Sequence, residues 1–411
     1  MKNPTLTVAV VGAGPAGMMA ALEARRAGAH VLLLDGNARV GRKLLVTGSG
    51  RCNLSNANVR AAAYHCTNTT FVAHALERFG HAELLARLAE MGIPTYATDD
   101  GWTYPVSNSA ANVVDLFEAH LALAGVECVL NARVDGLRRE GSGYRLTTAA
   151  GGETIHADRI ILAGGGMAYP TLGSRGDLFP LAEALGHTVL PVAPALAPLL
   201  TDPRPLRRLQ GVRLDAHLTL SENGTPLAQT TGNIIFTEWG INGPGVMDLS
   251  HHVSARPNTP MRLEIDFLHR YAPEMRRLFA QYRDRGMPLG GMLEAVLPSK
   301  VAAWMVEKNH LPLETRLDEL TGEQEETLFQ WLTAFHVEVR GTRGFEFSQV
   351  STGGIPLDEV NPESMESLRS ANLFFAGEIL DVNGPCGGYN LQWAFTSGVI
   401  AGTAAGTLQA L

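Results

Sequence analysis

The feature that most constrains this chain is a strand, glycine loop, helix and strand within its first thirty-five residues. The apolar run at residues 6–11 predicts a buried strand, and residues 30–35 predict a second one. Between them, residues 15–27 predict a helix that ends at Gly28. Strand, helix and strand in so short a segment predict a βαβ unit, whose two strands must be parallel. We therefore expect a parallel sheet with helices on its faces.

The glycine spacing inside this unit predicts a dinucleotide-binding loop. Gly12 permits the tight turn, Gly14 lets a pyrophosphate approach the backbone, and Gly17 lets the helix pack close to the strand. The phosphates would lie at the helix N-terminus, where free N–H groups and the dipole favour an anion. Asp35 follows Gly17 by 18 residues and is placed to accept a hydrogen bond from a ribose hydroxyl. The expected contacts are Gly12, Gly14, Pro15, Ala16, Gly17, Asp35 and Gly36.

This fingerprint does not distinguish FAD from NAD, and the stretch 373–398 near the other end of the chain supplies the distinction. A buried strand there leads to Gly377-Glu378, whose carboxylate is expected to bond a ribitol hydroxyl. The glycines that follow would let the backbone approach a flavin ring. The helix starting near Tyr389-Asn390 would direct its positive end toward the pyrimidine side of that ring. We therefore expect FAD as the cofactor. The strand at 158–163, with Gly164 and Gly165 after it, is expected to pass beside the dinucleotide.

Six longer stretches resemble one known family. They are GRKLLVTGSGRCNLSN (41–56), YPVSNSAANVVD (104–115), LAGGGMAYPTLGSRGDLFPLAEALGH (162–187), FTEWGINGPGVMDLS (236–250), and STGGIPLDEVNPESMES with AGEILDVNGPCGGYNLQWAFTSG (351–398). In these stretches the chain resembles the BaiN-like, or YhiN-like, flavoproteins. That family includes bile-acid-pathway reductases and relatives described as NAD(P)/FAD-dependent or aminoacetone-oxidase-like. The resemblance covers almost the whole chain, in the family's order.

The resemblance implies an α/β fold: a glutathione-reductase-like FAD/NAD(P)-binding Rossmann domain with an inserted β-barrel-like plus helical domain. It also implies that a set of residues lies near FAD, namely Arg42, Lys43, Arg51, Asn53, Ala163, Gly164, Gly377, Glu378, Asp381, Gly387, Gly388, Tyr389, Asn390 and Leu391. To these expected contacts we add Gly50, Val134 and Gly165. The family often has glutamate where this chain has Asp35, and the helical insert around 296–309 matches the family poorly.

Length and composition agree with several domains. The chain has 411 residues, of which 45% are hydrophobic, so sizeable cores can be buried. Five prolines within 191–205 mark a boundary. We predict a discontinuous FAD-binding domain at 1–194 and 346–411, a β-rich insert at 195–270 and 336–345, and a helical part at 271–335.

Several side chains admit two interpretations. The three cations Arg42, Lys43 and Arg51 are expected to contact the ligand, the alternative being plain surface residues. Tyr389 is interpreted either as a proton donor or as a ring stacked beside the flavin. A catalytic residue is therefore not assigned.

Two more groups of side chains are given structural roles. Asp381 is expected to bond backbone in its own loop rather than act as a base. Cys52 and Cys386 are expected to be packing residues rather than reactive thiols. The pair His251-His252 is predicted to lie on a strand, where adjacent side chains point to opposite faces, so no metal site is expected.

The leading function hypothesis is a flavin-dependent reductase in which NAD(P)H, bound transiently, drives hydride transfer to an unsaturated or carbonyl-conjugated small molecule. One alternative is an oxidase of a small amine that uses oxygen. Another, of a different class, is a flavin-binding sensor or an RNA-modifying flavoprotein. The net charge of −8 weighs against nucleic acid as a partner. No apolar run is long enough for a membrane span, and we expect a cytoplasmic protein.

Overall fold

The computed structural model describes residues 6–149, 151 and 154–408 of the chain. These residues form two compact units. The discontinuous unit comprises the described residues up to Ala193 and from Gln349 onward, and the inserted unit is Pro194–Ser348. Each unit has its own hydrophobic core.

The described elements are numbered in chain order. The strands are β1 (Thr7–Val11), β2 (His30–Leu34), β3 (Ser55–Asn56), β4 (His65–Cys66), β5 (Thr95–Ala97), β6 (Trp102–Pro105), β7 (Glu127–Val129), β8 (Val134–Glu140), β9 (Gly143–Thr148), β10 (Ile155–Ala157), β11 (Arg159–Leu162), β12 (Leu190–Ala195), β13 (Leu199–Thr201), β14 (Arg213–Glu222), β15 (Thr225–Phe236), β16 (Gly240–Asn242), β17 (Met261–Asp266), β18 (Phe335–Thr342), β19 (Val350–Gly354), β20 (Leu373–Phe375) and β21 (Val382–Asn383). The α-helices are α1 (Pro15–Arg26), α2 (Thr69–Arg78), α3 (His81–Glu90), α4 (Ala110–Ala124), α5 (Phe179–Ala184), α6 (Pro244–Met247), α7 (Ser250–Ser254), α8 (Ala272–Tyr282), α9 (Leu289–Glu294), α10 (Ser299–Lys308), α11 (Gly322–Thr333) and α12 (Tyr389–Gly406). None of these described helices has the length and hydrophobicity that crossing a bilayer requires.

The discontinuous unit is built on a five-stranded parallel sheet in the order β20-β11-β1-β2-β7. Strand β1 (TVAVV) is rich in β-branched residues and buried along its last four positions, as a central parallel strand requires. Because the chain passes from β1 to β2 on one side and pairs β1 with β11 on the other, β1 lies at a topological switch point. Ligands of open α/β sheets bind outside the carboxyl ends of strands at such a point.

Helices α1 and α12 pack against each other through small residues spaced four apart. A Cβ atom added at Gly398, Gly402 or Gly406 would lie 2.5, 2.3 and 2.5 Å from the carbonyl oxygens of Ala16, Ala20 and Ala24, respectively. The pairing runs in the same direction in both helices, so they are parallel. Because Gly398 is the tenth residue of α12 and Ala16 the second of α1, α12 extends about 12 Å beyond the start of α1.

The inserted unit contains a closed six-stranded barrel in the order β13-β16-β15-β14-β17-β18. Helices α8 to α11 share its hydrophobic core, and the Trp304 ring of α10 packs edge-on against Phe335 of β18, with centroids 5.0 Å apart. The predicted α/β fold, a Rossmann-type domain with an inserted barrel-like and helical part, is confirmed.

One local prediction in the inserted unit is wrong. His251 and His252 lie in helix α7, not on a strand, and their rings are 4.0 Å apart. The preceding helix explains the difference: Gly243, with φ +103°, turns the chain, and Pro244 occupies the first helical position, where its missing N–H is harmless. The alternating pattern therefore ends at Asn242.

Candidate functional site

The glycine loop after β1 has the shape that its sequence predicts. Gly12 has φ +108°, and a Cβ there would lie 2.4 Å from the carbonyl oxygen of Ala163. A Cβ at Gly17 would lie 1.8 Å from the carbonyl oxygen of Gly12. A Cβ at Gly14, in contrast, would meet no atom within 4 Å. The space facing Gly14 is therefore clear at the N-terminus of α1, and the first N–H groups of that helix fit a pyrophosphate.

Asp35, at the end of β2, holds this loop. Its Oδ2 accepts the backbone N–H of Ala13 at 2.7 Å, and its Oδ1 accepts both the backbone N–H and the side-chain amide of Asn37 at 2.8 Å. The Asn37 oxygen in turn accepts from the exposed Arg42 guanidinium at 2.9 Å. Sequence reasoning missed Asn37, although its place two residues after an aspartate is typical of an Asx turn. The adjacent Gly36 is exposed and lies against Arg133.

Lys43 and Glu378 form an ion pair beside the loop, with Nζ and Oε2 2.6 Å apart and the two side chains 23% and 18% exposed. The other oxygen of Glu378 accepts the backbone N–H of Ser351 at 2.8 Å. Both oxygens of the carboxylate predicted to bind ribitol thus have a protein donor. The pair joins two segments that the sequence analysis placed near FAD.

Ser351 is a further residue that sequence reasoning missed as an individual contact. Its hydroxyl oxygen accepts the backbone N–H groups of Met167 and Ala168, at 2.8 and 3.2 Å. A Cβ at Gly166 would lie 2.6 Å from that oxygen and 2.7 Å from Oε1 of Glu378. The predicted Ala163–Gly165 segment, which follows β11, is thereby held against the loop of Glu378. The only sequence signal for this contact is the STGG motif at 351–354.

The segment after Arg51 holds the Gly387-Gly388 turn before α12. The Asn56 side-chain amide donates to the carbonyl of Gly387 at 2.9 Å, and a Cβ at Gly388 would lie 2.2 Å from the carbonyl oxygen of Ser55. With its amide oriented to satisfy both ends, Asn53 accepts the Gly388 N–H at 3.3 Å. The GRCN and GGYN motifs, more than 300 residues apart, are therefore in direct contact.

The first residues of α12 use their polar side chains within the protein. The Tyr389 hydroxyl donates to the carbonyl of Asn58 at 3.1 Å, and its ring meets Tyr64 edge-on at 5.8 Å. The Asn390 amide accepts from and donates to the backbone of Gly384, at 2.8 Å in each case. Leu391 follows, partly buried. These bonds shape the turn and leave the helix N-terminus to face a ligand through its backbone.

The other predicted residues lie in less enclosed places. Arg51 and Gly50 are exposed, and the Arg51 guanidinium lies 4.4 Å from the centre of the Tyr104 ring. Burial raises the pKa of the Tyr104 hydroxyl, while the nearby Arg51 opposes that shift. Val134, the first residue of β8, is 3% exposed.

Two candidate reactive groups are buried. Burial raises the pKa of the Cys52 thiol to about 12, and the residue is fully enclosed, so it is neither ionised nor accessible near neutral pH. Asp381 is 6% exposed, and burial raises its pKa. Its Oδ1 accepts the backbone N–H of Gly353 at 3.1 Å. This backbone partner belongs to the STGG segment and not to the loop that contains Asp381. Cys386 is partly buried.

The site therefore presents two helix N-termini about 12 Å apart along parallel axes, glycine backbone between them, and one cation at Lys43. The first terminus suits a pyrophosphate. The second suits a group that becomes negatively charged during reaction, as the pyrimidine side of a reduced flavin does. The observed spacing and the clear space at Gly14 fit an extended flavin dinucleotide.

Comparisons with known proteins show which family the chain is similar to. A family model described as "HI0933-like protein Rossmann domain" matches residues 6–404. The chain is 35% identical over 406 residues to the 3-dehydro-bile acid delta(4,6)-reductase of Clostridium scindens, covering 97% of this chain and 98% of the relative. It is 30% identical over 392 residues to the ribosomal RNA dihydrouridine synthase of Escherichia coli, covering 94% and 95%.

Solved structures show likeness of fold. The 3-ketosteroid-delta4-(5alpha)-dehydrogenase of Rhodococcus jostii RHA1 matches with a TM-score of 0.52 at 17% identity, covering 99% of this chain and 98% of that one. The 3-ketosteroid delta1-dehydrogenase of Sterolibacterium denitrificans matches with a TM-score of 0.51 at 13% identity, covering 98% and 100%.

Proposed function

The chain belongs to the family of HI0933-like Rossmann-domain proteins and is an FAD-dependent oxidoreductase. From this premise we propose that it reduces a carbon–carbon double bond conjugated to a carbonyl group. The observation that carries the proposal is the chemistry shared by its relatives' names. A delta(4,6)-reductase of a 3-dehydro-bile acid acts on double bonds that are conjugated with a 3-oxo group. Dihydrouridine is uridine whose ring double bond, conjugated to a carbonyl, has been saturated.

The reduction balances with a nicotinamide donor. NAD(P)H and one proton are consumed, the carbon–carbon π bond breaks, and NAD(P)⁺ leaves. The hydride adds to the carbon β to the carbonyl, and the proton adds to the α carbon. When bound, FAD supplies the redox chemistry that carries the hydride from donor to acceptor.

The residues of the site have binding and orienting roles in this proposal. The N-terminus of α1 and the backbone at Gly14 hold the pyrophosphate, and the Glu378–Lys43 pair orders the segment beside it. The N-terminus of α12 stabilises negative charge. Neither Tyr389, whose hydroxyl donates to a carbonyl, nor Cys52, which is enclosed, is assigned as proton donor.

Anaerobic stopped-flow tests the proposal. NADH or NADPH is expected to bleach the flavin absorbance, and a 3-oxo-4,6-diene steroid is expected to restore it with one equivalent of a product in which one of the two double bonds is reduced. The Tyr389→Phe variant tests whether the hydroxyl takes part, and because that hydroxyl donates to the Asn58 carbonyl at 3.1 Å, we expect the variant to keep both rates. If neither donor bleaches the flavin, or if no conjugated acceptor restores it, the proposal is wrong. Peroxide formation from a panel of small amines would instead indicate an oxidase.

Uridine in ribosomal RNA is the second candidate acceptor. The observation in its favour is the 30% identity to a ribosomal RNA dihydrouridine synthase across 94% of this chain. The same reduced enzyme, mixed with ribosomal RNA that lacks dihydrouridine, would then produce nucleosides carrying two additional hydrogens. Mass spectrometry of the digested RNA measures that product directly.

A further inference from the structure

The inserted unit carries a short segment that is unusually rich in arginine. Residues 204–213, RPLRRLQGVR, contain four arginines and no acidic residue, in a chain whose net charge is −8. We call this stretch the arginine segment. It contains a 3₁₀ turn at Arg207–Leu209 and ends at Arg213, the first residue of β14.

The segment is anchored by its apolar residues. Leu206 and Leu209 are fully buried, and Val212 is 8% exposed, so this three-residue spacing turns one face into the core. The Leu209 N–H donates to the carbonyl of Leu206 at 2.8 Å, and the Gly211 N–H donates to that of Phe236 at 2.9 Å. The four arginines all lie on the exposed side. Their charges are thus presented by an ordered backbone.

Part of this charge has no partner within the described residues. Arg204 pairs with Asp202, and Arg208 pairs with Glu307. Arg207 and Arg213 form no ion pair in the described part of the chain. The exposed Lys300 adds its ammonium here by donating to the Gln210 carbonyl at 3.4 Å.

A second arginine-rich stretch in the same unit shows the contrast. In α8, Arg276 pairs with Glu326 at 2.9 Å, and Arg277 pairs with Glu274 at 2.6 Å. Those guanidinium groups are neutralised on the protein surface. The arginine segment therefore differs from α8 because two of its guanidinium groups, those of Arg207 and Arg213, form no ion pair with the described residues.

We propose that the arginine segment binds the phosphate backbone of a structured RNA, an inference that rests on the proposed function with uridine as the acceptor. Guanidinium groups match phosphate oxygens through two parallel hydrogen bonds, and phosphate contacts fix the position of a nucleic acid without reading its sequence. An anionic membrane is disfavoured, since interfacial binding needs exposed apolar residues beside the cations. Here Leu206, Leu209 and Val212 are in the core.

The test measures RNA binding by the FAD-loaded full chain, separately from reduction. A short fluorescent RNA hairpin with uridines in its loop is titrated between about 50 and 200 mM salt, where each phosphate contact changes the slope of log K against log salt by about 0.7 to 0.9. The Arg207→Ala/Arg213→Ala variant should lose about tenfold in affinity at the lower salt and about 1.5 units of slope. The matched Arg276→Ala/Arg277→Ala variant removes the same charge from paired positions and should bind like the parent.

Equal binding by the two double variants would overturn the proposal, as would no hairpin binding at the lowest salt. Sedimentation with phosphatidylglycerol vesicles but not with RNA would assign the segment to membranes instead. Each outcome is read beside reduction of a 3-oxo-4,6-diene steroid by the same preparation. If the parent protein reduces the steroid but does not bind the RNA hairpin, the RNA inference alone is rejected, whereas absence of all reduction rejects the proposed function.

Discussion

The ammonium of Lys43 lies 2.6 Å from Oε2 of Glu378, although 335 residues separate the two in the chain. Both side chains are mostly enclosed, and the second carboxylate oxygen is held by the Ser351 N–H. This pair therefore ties together three stretches of the discontinuous unit. Loss of this ion pair should lower both the free energy of unfolding and the affinity for the cofactor.

Replacing either partner should destabilise the fold. In Lys43→Met, the Glu378 charge keeps only one donor, and the free energy of unfolding should fall by about 1–3 kcal/mol. Urea unfolding of Lys43→Met, Glu378→Gln and the double variant gives the coupling energy. Arg277→Met, which breaks an exposed pair with Glu274, should lower the free energy of unfolding much less, because solvent screens that pair. Equal losses in the buried and exposed cases would contradict this interpretation.

The clear space at Gly14 allows fold and cofactor binding to be separated. Gly14→Ala adds a methyl group that meets nothing within 4 Å, so the FAD-free protein should keep its melting temperature. The same methyl group would stand where the pyrophosphate approaches, and FAD affinity should fall at least about tenfold, or 1.4 kcal/mol. Flavin fluorescence titration measures it. Gly17→Ala is the contrasting variant: its Cβ would lie 1.8 Å from a carbonyl oxygen, so the fold itself should be damaged.

The packing of α12 on α1 predicts opposite effects of one substitution at two helical glycines. Gly402→Ala places a Cβ 2.3 Å from the Ala20 carbonyl oxygen and should destabilise by about 1–3 kcal/mol through overpacking. Gly291→Ala, within α9, meets nothing within 4 Å and should stabilise by up to about 1 kcal/mol, because alanine is the better helix former. Thermal unfolding of the two variants compares them. A stabilised Gly402→Ala protein would disprove the close helix contact.

A buried polar group predicts weakening in mild acid. His187 is 5% exposed, its Nδ1 lies 2.8 Å from Glu359, and its Nε2 lies 2.7 Å from Ser367. The Ser367 oxygen already accepts two backbone N–H groups, so its proton points to Nε2, and Nδ1 carries the ring proton. The histidine is thus held neutral.

Burial lowers the pKa of His187 below its ordinary 6.5, although the Glu359 hydrogen bond opposes the shift. The pKa of Glu359 is also below its ordinary 4.5, because its hydrogen bonds to Thr188 and His187 outweigh burial. Both groups bind protons more readily in the unfolded chain. The contribution of His187 to the free energy of unfolding is therefore fully present above pH 6.5 and declines as the pH falls below that value. Glu359 adds to the loss below pH 4.5.

Urea unfolding at several pH values checks this. His187→Gln should flatten the decline between pH 7.5 and 5.5 by at most about 1.4 kcal/mol per pH unit, the limit for one proton. A parallel decline in the parent and His187→Gln proteins would remove His187 as its cause.

The local parts of this fold could be predicted because their signals are local. The elements β1, α1 and β2 occupy consecutive residues, and their hydrophobic pattern, Pro15 and Gly28 suffice to place them within a residue or two. The alternation at 206–267 gave a wrong prediction where Gly243 and Pro244 start a helix, because their signal is weaker than the surrounding pattern.

The contacts of the site could not be predicted in the same way. That Asn53 meets Gly388, or that Asp381 bonds Gly353, depends on how segments meet in three dimensions. A family resemblance names such residues without saying what they touch. The role of Tyr389 has two interpretations in the sequence for this reason, and the backbone partner of Asp381, Gly353, is 28 residues away in the chain. The G-x-x-x-G-x-x-x-G spacing at 398–406 is a sequence signal of close helix contact, and it agrees with the packing of these glycines on α1.

The parallel contact between α1 and α12 has a consequence for biosynthesis. The ribosome makes the glycine loop among the first described residues and α12 after every other described element, yet the candidate site needs both helices. A nascent chain that lacks Tyr389–Gly406 would therefore present the dinucleotide loop without the second helix N-terminus of the candidate site. We therefore expect tight cofactor binding to follow translation of α12, which gives the inserted unit time to fold first.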